Sequence, residues 1–212
     1  MITRRRAILG IGFVPSFAAW GFAPGEFWDD KQPSEWSEKE VQRMLTKSPW
    51  AKEVNLEVTG GRGGRGMGGP GMRGPGGPGG RGGPFGAQPT VRWESAAPFR
   101  SAAKVKLPLD ASGSYVIGVL GLPSEMDARF GELTLAGLKE TTFLQRKGGK
   151  PVVPNHFIVS DYDGSMLFYF PSDADPISPT DNEVVFQTRI VVYAMKVKFV
   201  PKDMLYRGKL AL

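Results

Sequence analysis

The chain of 212 residues has no cysteine, one histidine, and no apolar run of the ~20 residues needed to span a bilayer. Each absence removes a class of chemistry. Without cysteine there is no disulfide framework, thiolate metal site, cysteine nucleophile or lipid-modified N-terminal cysteine. With His156 alone, one chain cannot assemble a two-histidine zinc site or a histidine facial triad. Gly-Lys-Ser/Thr does not occur, so there is no phosphate-binding P-loop. The expectation is a protein with no metal and no cofactor. Its length suits one ordinary domain with additions, or two small ones.

The formal charge is +6, but it is unevenly placed. Arg4, Arg5 and Arg6 stand at the N-terminus, and Arg62, Arg65, Arg73 and Arg81 stand in a glycine-rich tract, with no acid in either segment. Removing those seven leaves −1 for the remainder of the chain. A nucleic-acid binder concentrates cations on a folded face or along one helix, because phosphate neutralisation supplies most of its affinity. No specific nucleic acid is expected as a partner.

Residues 1–23 read as an export signal: arginines, a short apolar stretch from Ala7 to Val14, then Pro15 and small residues. Arg5-Arg6-Ala7-Ile8-Leu9 resembles the twin-arginine signal, with Ile8 where phenylalanine is usual. Ser16-Phe17-Ala18 places small residues where a signal peptidase reads them, whereas cleavage after Ala23 would put Pro24 next. The expectation is a periplasmic or extracellular protein with no transmembrane anchor after cleavage.

Residues 24–59 form an N-terminal arm. Ser37 and Glu40 make a capping box, Trp36 and Val41 a hydrophobic staple, and Ser48-Pro49 a stop, which predicts a helix over 38–46. Trp28, Trp36 and Trp50 flank it. They are candidates for a partner-binding surface; the competing reading makes them anchors of the arm on its own domain. Val54 to Val58 and Thr90 to Glu94 both alternate apolar and polar, so they are expected to pair as strands.

Between them, residues 60–88 hold sixteen glycines and four prolines in 29 positions, too little apolar material to fold, and are expected to be a disordered Gly/Arg-rich loop. Lengthening a loop from four residues to thirty adds roughly 2 kcal/mol of closure entropy, which a domain with a reasonable core tolerates. Arg62, Arg65, Arg73 and Arg81 are the candidates for holding a polyanion. The tract has no phenylalanine or tyrosine before Phe85 to stack on bases.

Residues 89–212 are expected to form the β-rich core domain. Residues 96–103 suit a short helix, and Ser114 to Gly121 a strand buried on both faces. Ser124 and Asp127 suggest a second helix running to about Gly137, with Met126, Phe130 and Leu133 inward. Strand patterns follow at 141–145, 157–160, 165–170, 183–192, 195–200 and 205–212, joined by short turns that favour antiparallel pairing. The fold class is therefore α+β, β-rich and mainly antiparallel, with one or two short helices.

Trp36-Ser37-Glu38-Lys39-Glu40-Val41 with Ser48-Pro49-Trp50-Ala51, Val91 to Ala96, and Lys202-Asp203-Met204-Leu205-Tyr206-Arg207-Gly208-Lys209-Leu210 resemble an uncharacterised group of short exported acidobacterial proteins. That resemblance implies an extracytoplasmic location and no catalytic residue.

Three constellations bear on enzymatic chemistry. Phe157 to Ser165 resembles the first motif of haloacid-dehalogenase-type phosphatases, in which Asp161 would attack phosphorus and Asp163 would act as acid and base beside magnesium. The competing reading is a β-hairpin turned by Asp163-Gly164, and the 47 residues after Ser165 are too few for that family's further units. His156, Ser160 and Asp161 suggest a triad on paper only, without a nucleophile elbow. Asp173, Asp175 and Asp181 lack the calcium-loop pattern and read as a solvated, proline-stiffened turn. The composite expectation is an exported, non-enzymatic binding or structural module whose partner is an unidentified envelope protein or polymer.

Overall fold

The computed structural model describes residues 26–59, 88–104, 106–123, 129, 131–160 and 164–212. Five strands make one antiparallel sheet in the order β1-β3-β4-β7-β6: β1 (Ala51–Glu53), β3 (Thr90–Trp93), β4 (Ser114–Leu120), β7 (Met166–Pro171) and β6 (His156–Val159). Four more make a second, also antiparallel, in the order β2-β9-β8-β5: β2 (Glu57–Val58), β9 (Tyr193–Phe199), β8 (Val184–Ile190) and β5 (Phe143–Arg146). A hairpin of β10 (Leu205–Tyr206) and β11 (Lys209–Leu210) follows. The helices α1 (Phe27–Asp30), α2 (Glu38–Thr46), α3 (Ala97–Ala103) and α4 (Leu135–Thr141) are short. The protein is α+β and β-rich.

Alternation along the strands decides what is inside. Val184, Phe186, Thr188 and Ile190 are buried on one face of β8, and Val197 and Phe199 are buried on β9 while Lys196 and Lys198 between them are exposed. The two sheets meet through aromatic edges: Trp93 of β3 lies 5.3 Å from Phe199 of β9, and Phe186 of β8 lies 5.8 Å from Phe168 and 6.1 Å from Phe170 of β7. Such contacts add to the apolar burial that dominates folding.

The arm is built into this core. Ser37 Oγ accepts from the Glu40 N–H, and a Glu40 carboxylate oxygen accepts the Ser37 N–H at 2.8 Å, so α2 starts where its capping box predicts. Nine helical residues are marginal in isolation. Here Met44 is fully buried and Val41 and Leu45 pack on the core. The far end of the chain locks the arm: Trp50 Nε1 donates to Ala211 O at 2.6 Å, and Arg207 N donates to Asp29 Oδ1 at 2.8 Å.

Two expectations need correction. Of the strand expected over 54–58, only Glu57–Val58 (β2) is a strand, in the second sheet, while β1 precedes it in the first. The expected pairing with 90–94 is made instead by β1, in the register Ala51↔Arg92. It ends where Val54 N donates to Pro89 O, because Pro89 has no N–H with which to continue the ladder. The chain then crosses to β9, pairing Glu57↔Ala194, and Thr59 N ties it to Val192 O at the β8–β9 turn. The second correction concerns the helix expected up to Gly137. Residues 124–128 and 130 lie outside the described residues, and the helix present, α4, runs Leu135–Thr141. Thr134 Oγ1 caps it by accepting from Gly137 N, Leu138 is its buried contact, and the following strand starts at Phe143 rather than Thr141.

Candidate functional site

The five-stranded sheet has a second face, turned away from the core. On it the side chains of Arg92, Leu167 and Ile158 share a row with Gly118, since Arg92 pairs with Gly118, Gly118 with Leu167, and Leu167 with Ile158. Val116, Leu167 and Tyr169 form a small apolar cluster there, covered by Leu107 and Ala111.

The cover is the segment after α3. That helix ends at Lys104 in the left-handed conformation (φ 54°), which turns the chain back toward the sheet. Tyr169 Oη accepts the Leu109 N–H at 3.4 Å, and Asp110 Oδ1 accepts from the N–H and hydroxyl of Ser112 at 3.0 and 2.8 Å, closing an Asx turn before β4. Burial pushes the Tyr169 phenol upward in pKa; the Leu109 N–H opposes this, and the nearby Glu94 charge adds to it.

Under this strap lies a cleft of about 450 Å³. Phe99, Leu107, Leu120, Ile158 and Leu167 supply apolar walls, and Arg92, Glu94, Lys106, Ser160 and Ser165 supply polar groups. A more open depression of about 550 Å³ is lined by Arg100, Ser101 and Asp110, and shares Lys106 to Pro108.

The polar groups are held in place. Arg92 Nε donates to Leu45 O at 2.8 Å, satisfying a carbonyl in the last turn of α2, and its guanidinium stands 5.7 Å from the Phe99 ring centre. Glu94 is 7% exposed and its N–H donates to Val116 O at 2.8 Å. Its side chain occupies space that only glycine at 118 leaves open: a Cβ there would stand 2.7 Å from Glu94 Oε1 and 2.8 Å from its Cγ. Lys106, by contrast, makes no hydrogen bond or ion pair with any described residue.

The residues singled out from the sequence fall elsewhere. Trp28, Trp36 and Trp50 are not a partner surface. They are 3, 8 and 0% exposed, and with Phe27 they form an edge-to-face cluster with ring centres 4.9–5.5 Å apart. An indole's large apolar area is best spent in the interior, and these three fix the arm to its own domain. Arg62, Arg65, Arg73 and Arg81 lie outside the described residues, as do Asp161 and Asp163.

Around that last pair, β6 and β7 are antiparallel, Ser160 N donates to Ser165 O at 2.8 Å, and Gly164 is left-handed with φ 64°. These are the features of the hairpin alternative. His156 is exposed at the start of β6, with Nδ1 2.9 Å from Asn155 O. Asp175 and Asp181 are not simply solvated: both pair with Arg146, at 2.7 and 3.5 Å. The pairing raises the Arg146 pKa, chiefly through the Asp175 hydrogen bond.

Sequence reasoning missed Glu94, Arg92 and Lys106 as a group. The alternation in Thr90 to Glu94 does place Arg92 and Glu94 on one face, and Gly118 interrupts an otherwise apolar strand. Those two signals together mark a strand face where a side chain lies against bare backbone. Comparison with family models, with curated proteins and with solved structures finds no match to this chain.

Proposed function

We propose that the protein is an exported, non-enzymatic binding module of the cell envelope, with the outer-face cleft as its binding site. The observation that carries this reading is the cleft itself, a concavity with apolar walls and a few fixed polar groups, which is the usual form of a small-molecule site. Its polar members are anchored as a binding site requires: Arg92 by Leu45 O and Phe99, and Glu94 by its seat on Gly118.

Export is supported by the arginine-led N-terminus and by the resemblance to exported acidobacterial proteins. Among the described residues, no helix is long and apolar enough to cross a membrane. The envelope partner of such a module is a small molecule or polymer segment carrying a group that fits the cleft.

Cell fractionation tests the location. The unaltered chain is expected in the periplasmic or extracellular fraction, and the Arg5→Lys, Arg6→Lys chain in the cytoplasm. Finding the unaltered chain in the cytoplasm with its leader intact refutes export. A magnesium-dependent phosphatase activity that disappears in Asp161→Asn would replace binding with catalysis.

A further inference from the structure

The lining of the cleft narrows the chemistry of what it takes. Among the described lining residues there are two cations, Arg92 and Lys106, and one carboxyl, Glu94, so their balance is cationic. Lys106 stands at this wall with no ion pair among the described residues, and Arg100 and Lys104 add further cations on the adjoining helix end, also without an ion pair there. Asp110, on the strap, is engaged by Ser112, and those two hydrogen bonds lower its pKa. Apart from Ser160 and Ser165, the remaining described wall is hydrocarbon and one aromatic ring. A cationic rim over an apolar wall complements a molecule with an anionic head and a short apolar body.

We propose that this cleft binds a small, singly charged anionic amphiphile. Its head group is held between Lys106 and Arg92, and its aliphatic or aromatic body lies against Phe99, Leu107, Ile158 and Leu167. The volume of about 450 Å³ falls at the small end of ligand sites, so the body is short. The Glu94 carboxyl disfavours a second negative charge and fixes one orientation. This inference rests on the reading of the protein as a binding module and specifies its ligand class.

The test uses the full chain with ¹³C-labelled isoleucine and leucine methyl groups, titrated separately with decanoate, decanol and decyltrimethylammonium below their micellar concentrations. Decanoate is expected to shift the methyl signals of Leu107, Ile158 and Leu167 saturably, with decanol at least tenfold weaker and the cation weaker still. Lys106→Glu is expected to weaken decanoate at least tenfold without moving the unfolding midpoint, and Lys106→Arg to retain it. Equal binding of all three probes at those methyl groups would overturn the anion preference while leaving the cleft as a binding site. Unchanged affinity in Lys106→Glu would overturn the head-group assignment. No shift of those methyl groups by any probe would overturn the cleft as a site, and the binding reading with it.

Discussion

Glu94, immediately after β3, lies against Gly118 on the neighbouring strand β4, so close that a Cβ at 118 would stand 2.7 Å from its Oε1. A buried carboxyl and a bare stretch of sheet therefore share one space. Gly118→Ala is expected to force Glu94 out and to destabilise the protein by about 1–3 kcal/mol, the usual cost of overpacking. Glu94→Ala removes the obstacle, so the double variant should be less destabilised than the two single changes together. Urea denaturation of all four chains measures the coupling; strict additivity would show that the two residues do not compete for this space.

The indole cluster gives a second expectation. Trp28, Trp36, Trp50 and Trp93 are all 8% exposed or less, and Trp20 lies outside the described residues. In a Trp20→Phe chain, iodide should quench the fluorescence weakly until the protein unfolds. Strong quenching of the folded chain would place one of the four at the surface.

Trp50 also ties the arm to the C-terminal residues. Its Nε1 donates to Ala211 O at 2.6 Å, so Trp50→Phe keeps most of the ring but leaves that carbonyl unpaired. A loss of about 1–3 kcal/mol is expected in chemical denaturation. A neutral result would mean that the C-terminal residues contribute nothing to holding the arm.

Much of the fold is legible in the sequence where a local rule decides it. Ser37 and Glu40 set the start of α2, and the alternation from Val184 to Ile190 and from Lys196 to Phe199 sets which faces of β8 and β9 are buried. The pattern was silent where a distant partner decides. Nothing between Val54 and Val58 shows that Pro89 ends one ladder, or that Val192 receives Thr59 in the other sheet. The cleft is harder still. Its lining comes from β3, α3, the strap at 106–108, the end of β4 and the facing ends of β6 and β7, which meet only when the sheet forms. Arg92 and Glu94, read one strand at a time, look like an ordinary wet face.

Acid sensitivity follows from the α2 cap. The Lys31 ammonium, with the Ser37 N–H and hydroxyl, pulls the Glu40 carboxyl from 4.5 down to about 2. A depressed carboxyl stabilises the fold when ionised. Its contribution is therefore complete above pH 4.5 and is lost as the pH falls toward 2. Solvent screening keeps the contribution modest. Glu40→Gln should lower the thermal midpoint at pH 7, and the gap between the two chains should close between pH 4.5 and 2. A gap that stays constant across that window would remove Glu40 from the account.

The most direct measurement of the central claim, that the strapped outer face is where this protein meets its envelope partner, is photo-crosslinking in cells. A benzophenone side chain placed at Leu107, on the strap, is compared with one at Val153, an exposed position away from the cleft lining. The account predicts a discrete adduct in the envelope fraction from position 107 and none from position 153. Equal labelling from both positions, or no adduct from position 107 in exported protein, would contradict it.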